Sequence, residues 1–453
     1  MRSAVVVTCA VRHGNLLQIG RPRRHNYCAG VTPYDPALHD PAPPPLRVRT
    51  VEIADPGPLP TLLPTDGALA WVRRGEGMVG WGEVVRHKPS NVADAEEWWA
   101  ELTRSVVVEA ELADAPAGAG LVAFGSFVFD EDSAGRSTLV VPEVVVGRRN
   151  GRAWVTQIGT DLAPAAAVAA TTPPLPPTGL DYREGSLSPV QWQQAVVEAV
   201  CRISEGRLDK VVLARDVVVT AAQEIDPRWL VGRLAERYPA CWTYLVDGLV
   251  GASPEMLVRR EGGLVSSRVL AGTIWRSGED QTPVGLAAGL AGSRKDLEEH
   301  GYAVASVARA LAPFCSGLHV PEAPYVLELP NVLHLATDVV AVGRPGVSSL
   351  ALAAALHPSA AVCGTPTADA RQLIAELEQM DRGRYAGPVG WVDAAGDGEW
   401  AIALRCGQLD ETDGRRIRLY AGCGIVAGSD AEAELAESVA KLLPMREALA
   451  STA

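Results

Sequence analysis

Glu434, Glu437 and Lys441 stand at i, i+3 and i+7 in a stretch of helical pattern, so all three side chains leave the helix on one face. Just ahead, Gly422-Cys423-Gly424-Ile425-Val426 reads as a buried strand and a glycine-permitted turn, with Ser429 and Glu432 spaced as a capping box at the helix start. Two carboxylates and an ammonium above such a strand end suit a divalent cation beside an anionic ligand, because glycine lets backbone N–H groups approach closely. Asp296 and Glu299 repeat the i,i+3 carboxylate spacing on a second predicted helix. Two helices could therefore present four carboxylates to one Mg2+, which takes a few hard oxygen ligands and keeps several waters. Standing alone, acidic and basic residues at this spacing are more often a solvated, mutually paired face.

Other residues carry chemistry of a matching kind. Glu255 follows Ser253-Pro254 at the edge of an apolar strand opened by Met256 and Leu257. A carboxyl partly buried there holds its proton to higher pH and can act as an acid, although a turn carboxylate satisfied by backbone N–H groups fits the same pattern. Lys210 opens the apolar run Lys210-Val-Val-Leu-Ala-Arg215. Lysines at strand ends are commonly surface residues; one serving as a base near neutral pH must have its pKa lowered by about 2–3 units from about 10.4, at about 1.4 kcal/mol per unit. Arg405 offers a planar fork for a carboxylate. His334, one residue after Leu333, suits either a satisfied core histidine or one facing a ligand.

The elements that must position these residues fall into two halves. Residues 1–180 read as strands with one or two helices: a strand at Ala4–Ala10, a long loop over 21–45, strands near Leu69–Arg73, Met78–Val85, Leu121–Phe129, Thr138–Val146 and Ala153–Ile158, and a helix near Asp94–Leu112. Thr171–Thr178 holds four prolines in eight residues and reads as an extended connector. From 181 to 453 the segments lengthen, with the turn Ala271-Gly272-Thr273 after a strand at Leu264–Leu270. Helices and hairpin-like strands mix without a βαβ rhythm, which favours an α+β sandwich of large sheets with outer helices over a doubly wound fold.

Composition narrows the function classes. A formal net charge of −13 and the lack of any long Lys/Arg run argue against nucleic-acid binding. Eight cysteines without a Cys-x-x-Cys pair fit free thiols of a reduced compartment. No apolar run of about 18 residues and no signal-peptide pattern is present, so a soluble cytoplasmic protein is expected.

Ten motifs then occur in a familiar order: Lys210-Val-Val-Leu-Ala-Arg, Ala252-Ser-Pro-Glu255, Leu270-Ala-Gly-Thr273, Glu299-His300, His334-Leu-Ala-Thr337, Leu356-His-Pro-Ser359, Gly390-Trp-Val-Asp393, Gly398-Glu-Trp400, Leu404-Arg-Cys406 and Gly422-Cys-Gly-Ile-Val426. Over roughly residues 188–449 the chain resembles the chorismate-utilising enzymes, with a weaker likeness extending into Phe124–Asp130 and Thr138–Val146. The resemblance implies two large, mainly antiparallel sheets packed face to face with helices outside, the N-terminal half completing the sandwich. It implies chorismate as substrate, Lys210 as the base that activates water and Glu255 as the acid. Glu299 and Glu437 would then be direct Mg2+ ligands, with Asp296 and Glu434 acting through water; a glutamate often stands where this chain has Asp296. Ala271, Gly272, Thr273, His334, Tyr385, Arg405, Gly422, Gly424 and Lys441 would bind the substrate. Cys423 replaces the alanine common between the two glycines, and a reactive role for it would need a base beside it.

Within the family, the aminases carry Pro-Ile-Lys-Gly-Thr where this chain has Val269-Leu-Ala271-Gly-Thr, and glutamine where it has Lys210. An isochorismate synthase is therefore expected, as a monomer or a dimer without a glutaminase subunit. Salicylate synthases share Lys210 and Leu-Ala-Gly-Thr and remain the alternative. A silent chorismate-binding relative is disfavoured, because every candidate catalytic and metal-binding residue is present.

Overall fold

Apolar runs rich in valine, isoleucine and alanine are buried on both faces here, as strands covered by a second sheet or by helices must be. The computed structural model describes residues 45–162, 168–275, 283–329 and 332–450. The side chains of a few residues within elements, among them Thr273, Asp296 and Glu299, lie outside the described residues, as do the expected strand Ala4–Ala10 and nearly all of the expected loop 21–45. Residues from Pro45 onward cluster as one unit.

Two sheets, of thirteen and ten described strands, form this unit. Every described strand pair is antiparallel except Arg47–Ile53 with Val107–Ala110. In the first sheet Lys210–Thr220 runs antiparallel to Arg416–Ile425 from Val211 opposite Ile425 to Thr220 opposite Arg416. The second sheet centres on Leu264–Trp275, paired with Val332–Gly343 on one edge and Met256–Glu261 on the other. Strands of the N-terminal half join both: Leu69–Arg73 and Val144–Arg149 extend the first sheet, Val122–Ser126 and Thr138–Val141 the second.

The chain crosses between sheets at two places that matter later. Leu249–Ser253 lies in the first sheet and Met256–Glu261 in the second; Gly398–Ile402 lies in the second and Cys406–Leu409 in the first. Large aromatics fill the core, with Trp71, Trp154, Trp391, Trp400, Phe124 and Phe127 all buried in one cluster. Two of the indole N–H groups find partners, Trp71 Nε1 donating to Glu399 Oε2 at 2.7 Å and Trp400 Nε1 to Ser349 Oγ at 3.2 Å, while those of Trp154 and Trp391 have none among the described residues. Outside, the helices Pro189–Ser204 and Ala431–Leu449 pack together over the first sheet, and Arg294–Leu311 covers the second.

Several expectations change in detail. Ala271-Gly272-Thr273 is no turn; Leu264–Trp275 is one continuous strand in which Gly272, at φ +79°, is an extra residue between the pairs Ala271–Leu335 and Thr273–His334. A glycine can bulge from a ladder without breaking it. Ser429 and Glu432 form no capping box: the helix begins at Ala431, Asp430 accepts from the Ala433 N–H, and Ser429 Oγ accepts instead from the Val426 N–H. Aspartate is as good a cap as serine, so the start shifts by one residue. The first helix ends at Ser105, where the β-branched Val106-Val107-Val108 turns into a strand. The strand Arg47–Ile53 and the helix Pro283–Gly292 were not anticipated.

Candidate active site

One cavity, of about 170 Å3, gathers Lys210, Glu255, Ala271, Gly272, His334, Tyr385, Arg405, Gly422, Gly424, Glu434, Glu437 and Lys441. That space is more than ten times what a water needs, on the order of 10–15 Å3. Of the residues singled out from sequence, only Thr273, Asp296 and Glu299 have side chains outside the described residues. Helix Arg294–Leu311, which carries Asp296 and Glu299, is tied to the cavity by His300: its Nδ1 lies 3.2 Å from the Ala271 carbonyl and its Nε2 2.7 Å from Thr337 Oγ1.

Glu255 and Arg405 reach the same cavity because each sits where the chain crosses between sheets. The two crossings are laced together: the Ile402 N–H donates to the Glu255 carbonyl at 3.2 Å, and the Ala252 N–H to the Arg405 carbonyl at 3.2 Å. Arg405 is held at φ +48°, a left-handed conformation that a non-glycine residue keeps only when its surroundings impose it. Among the described residues no carboxylate pairs with its guanidinium, whose pKa burial lowers. A buried, unpaired guanidinium facing a cavity is matched to a carboxylate ligand.

Burial raises Glu255 to about 7, against smaller opposing effects from the Leu270 N–H, Lys210, Arg405 and Lys441. A carboxyl in that state is about half protonated at neutral pH and has cationic neighbours ready for the anion it becomes. Lys210 begins its strand almost fully buried, at 2% exposure, rather than on the surface where a strand-end lysine usually lies. His334 is held neutral by burial and by the charges of Arg405 and Lys441.

Lys441 Nζ lies 2.6 Å from Glu437 Oε1 and donates to the Gly422 carbonyl at 2.9 Å. Burial works against its charge, but Glu437 and Cys423 together outweigh it and the pKa is raised. Glu434 is buried beside them, and oxygens of Glu434 and Glu437 with the Cys423 sulfur lie within 4.8 Å of one another. Cys423 donates to the Glu434 carbonyl at 3.3 Å, and burial raises its thiol well above the ordinary range, so it is an inert packing group. Two carboxylates this close on one helix face offer hard oxygens of the kind Mg2+ takes.

Gly422 is needed for space: a Cβ there would lie 3.0 Å from the Tyr385 hydroxyl and 3.1 Å from the Leu213 carbonyl. Tyr385 stacks on Tyr420 with ring centroids 5.0 Å apart and planes at 9°. Tyr420 and Arg382 line the cavity too and were not singled out from sequence. Tyr420 lies on an ordinary alternating strand, and Glu378 with Arg382 reads as a routine i,i+4 pair, so neither carried a signal.

The sandwich thus encloses one cavity lined by carboxylates and buried cations, with Glu255 and Arg405 at the two sheet crossings. The family model for chorismate binding enzymes matches residues 70–450, and the chain belongs to that family. It is 42% identical over 273 residues to isochorismate synthase DhbC of Bacillus subtilis, covering 58% of this chain and 68% of that protein. The solved structure of MenF, the menaquinone-specific isochorismate synthase from Escherichia coli, matches with a TM-score of 0.75 at 26% identity, over 91% of this chain and 97% of that one. Anthranilate synthase component I from Streptococcus pneumoniae shares the fold, with a TM-score of 0.63 at 20% identity over 91% of this chain and 94% of that one. A fold common to such different names leaves the reaction to be argued from the site.

Proposed function

We propose that this chain interconverts chorismate and isochorismate, adding water at C2 of the ring while the C4 hydroxyl leaves. The observation that carries the reading is a buried Glu255 whose pKa is about 7, in one cavity with Lys210 and an Arg405 that pairs with no carboxylate among the described residues. Lys210 takes the proton from the incoming water, and Glu255, protonated below about pH 7, gives its proton to the departing hydroxyl. Arg405 holds a substrate carboxylate through its planar fork, and Lys441 with the backbone at Gly422 and Gly424 serves the other. Neutral His334 and the Tyr385 ring line the substrate without adding charge.

Glu434 and Glu437, with Asp296 and Glu299 of the second helix, would hold Mg2+. When bound, the ion offsets the charge of the ring carboxylate and of the acidic residues around it. Lysine at 210 supports water as the nucleophile, since the aminases of the family carry glutamine there, and neither glutamine nor a glutaminase subunit is required. Purified protein given chorismate and Mg2+ is expected to form isochorismate and to consume no glutamine or ammonia. Amination of chorismate, or no turnover with Mg2+ present, refutes the assignment.

A further inference from the structure

We propose that Arg382 and Glu378 are positioning residues that stand in for a missing piece of strand beside Lys210; the catalytic part of this inference rests on Lys210 being the base. Strand Lys210–Thr220 is paired on one edge with Arg416–Ile425 nearly end to end. On its other edge, among the described residues, only the ends have strand partners: Gly364–Thr365 opposite Lys210 and Val211, and Asp181–Glu184 opposite Val217–Thr220. The backbone groups between them still need partners, because buried strand edges leave polar groups that water cannot reach.

Side chains fill most of that gap. The Val212 N–H donates to the Cys363 carbonyl at 2.8 Å, while the Val212 carbonyl accepts from Arg382 Nη2 at 2.8 Å. The Ala214 N–H donates to Glu378 Oε1 at 2.7 Å, and the Ala214 carbonyl accepts from Trp192 Nε1 at 3.1 Å. Arg382 and Glu378 are joined by two contacts, Nε to Oε2 at 2.9 Å and Nη2 to Oε1 at 2.5 Å. Arg382 Nη1 donates to the Val362 carbonyl at 2.8 Å, and the guanidinium lies 4.2 Å from the centre of the Phe129 ring.

Arg382 therefore lines the cavity with four of its five N–H donors committed to the protein: Nε and Nη2 to Glu378, Nη2 also to the Val212 carbonyl, and Nη1 to the Val362 carbonyl. Its donors tie together the carbonyl two residues from Lys210 and the loop at Val362, and the Arg382 carbonyl accepts from the Tyr385 N–H at 3.0 Å, joining the segment that presents Tyr385. A buried ion pair is a weak source of stability against apolar residues of the same size. What it supplies here is direction: a forked donor and a two-oxygen acceptor match the out-and-in alternation of a strand edge, which an apolar pair cannot do.

The test uses the whole chain with Arg382→Met, the milder Arg382→Lys and Glu378→Gln. Amide hydrogen exchange over residues 210–216 is read beside steady-state kinetics with chorismate. Arg382→Met is expected to raise exchange in that segment and lower kcat about 10–100-fold, the cost of misplacing a reacting group by about an ångström, while KM stays within about 3-fold. Arg382→Lys, keeping the charge and one donor, is expected to recover part of kcat, and Glu378→Gln, keeping an acceptor for Ala214, to lie between. Unchanged exchange at 210–216, or kcat within about twofold of wild type in Arg382→Met, overturns the proposal. A KM that rises as steeply as kcat falls overturns it too, by making Arg382 a substrate ligand. Lack of chorismate turnover by the wild type refutes the proposed reaction instead, and the exchange arm still reads the strand edge.

Discussion

Replacing Glu255 by glutamine should make the protein more stable and nearly inactive, and the stability gain should depend on pH. In the fold this carboxyl is raised from an ordinary 4.5 to about 7, chiefly by burial. At about 1.4 kcal/mol per pH unit, ionising it inside the fold costs roughly 3 kcal/mol. The sign follows from which state binds more protons. Below about pH 4 the carboxyl is protonated in both states and costs nothing. Between about 4.5 and 7 the unfolded chain releases the proton while the fold retains it, so wild-type stability declines; above about 7 the loss is complete. Glutamine does not titrate, so Glu255→Gln should match wild type near pH 4.5 and exceed it by roughly 3 kcal/mol at pH 8. Urea unfolding across that range, in chelator so that metal binding does not enter, measures the difference. The same variant should lose about 10²–10⁴ in kcat, the usual worth of a positioned proton donor. A stability gap that does not change with pH would refute the raised pKa, and near-normal turnover would refute the acid role.

Four further outcomes follow from the same geometry. Lys210→Gln should fold and still bind chorismate, with kcat lowered about 10²–10⁴-fold; steady-state kinetics and titration calorimetry separate the two effects. Glu437→Gln should abolish the thermal stabilisation that Mg2+ gives the wild type, which for one site at a hundred times its Kd is about 2.7 kcal/mol; scanning calorimetry with and without the ion reads it. Arg405→Lys keeps the charge but loses the fork, so KM should rise about 10-fold or more, in line with about 1.5–3 kcal/mol for a charged hydrogen bond. Gly272→Ala places a Cβ at φ +79° in the bulge and should cost about 1–2 kcal/mol in urea unfolding, with a fall in activity because His334 lies opposite the bulge.

Much of the site could be read from spacing because the helix is a rigid ruler. Glu434, Glu437 and Lys441 at i, i+3 and i+7 do face one cavity, although the helix cap lies one residue later than the pattern suggested. Strand content was legible in most β-branched runs bounded by glycine or proline, though Arg47–Ile53, between Pro45 and Pro56, was missed. The sheet crossings were not: Leu404-Arg405-Cys406 looks like the inside of one long strand, whereas the chain changes sheets there with Arg405 at a positive φ. Periodicity is equally blind to a bulge, so Gly272 looked like a turn when the ladder in fact runs through it. Arg382 and Glu378 were hidden for a different reason, since an i,i+4 pair has the same spacing in water and in a core. Here their side chains are 3% and 1% exposed, and nothing local in the sequence encodes that burial.

The product formed from chorismate tests the central claim most directly. Salicylate formation requires a further loss of pyruvate from bound isochorismate, a step favoured by a closed, dry site that retains the intermediate. Wild-type protein with chorismate and Mg2+, followed by chromatography from the first turnovers, should give an equilibrating mixture of chorismate and isochorismate, with pyruvate and salicylate appearing only as fast as free isochorismate decays. Salicylate and pyruvate accumulating in equal amounts from the first turnovers would contradict it.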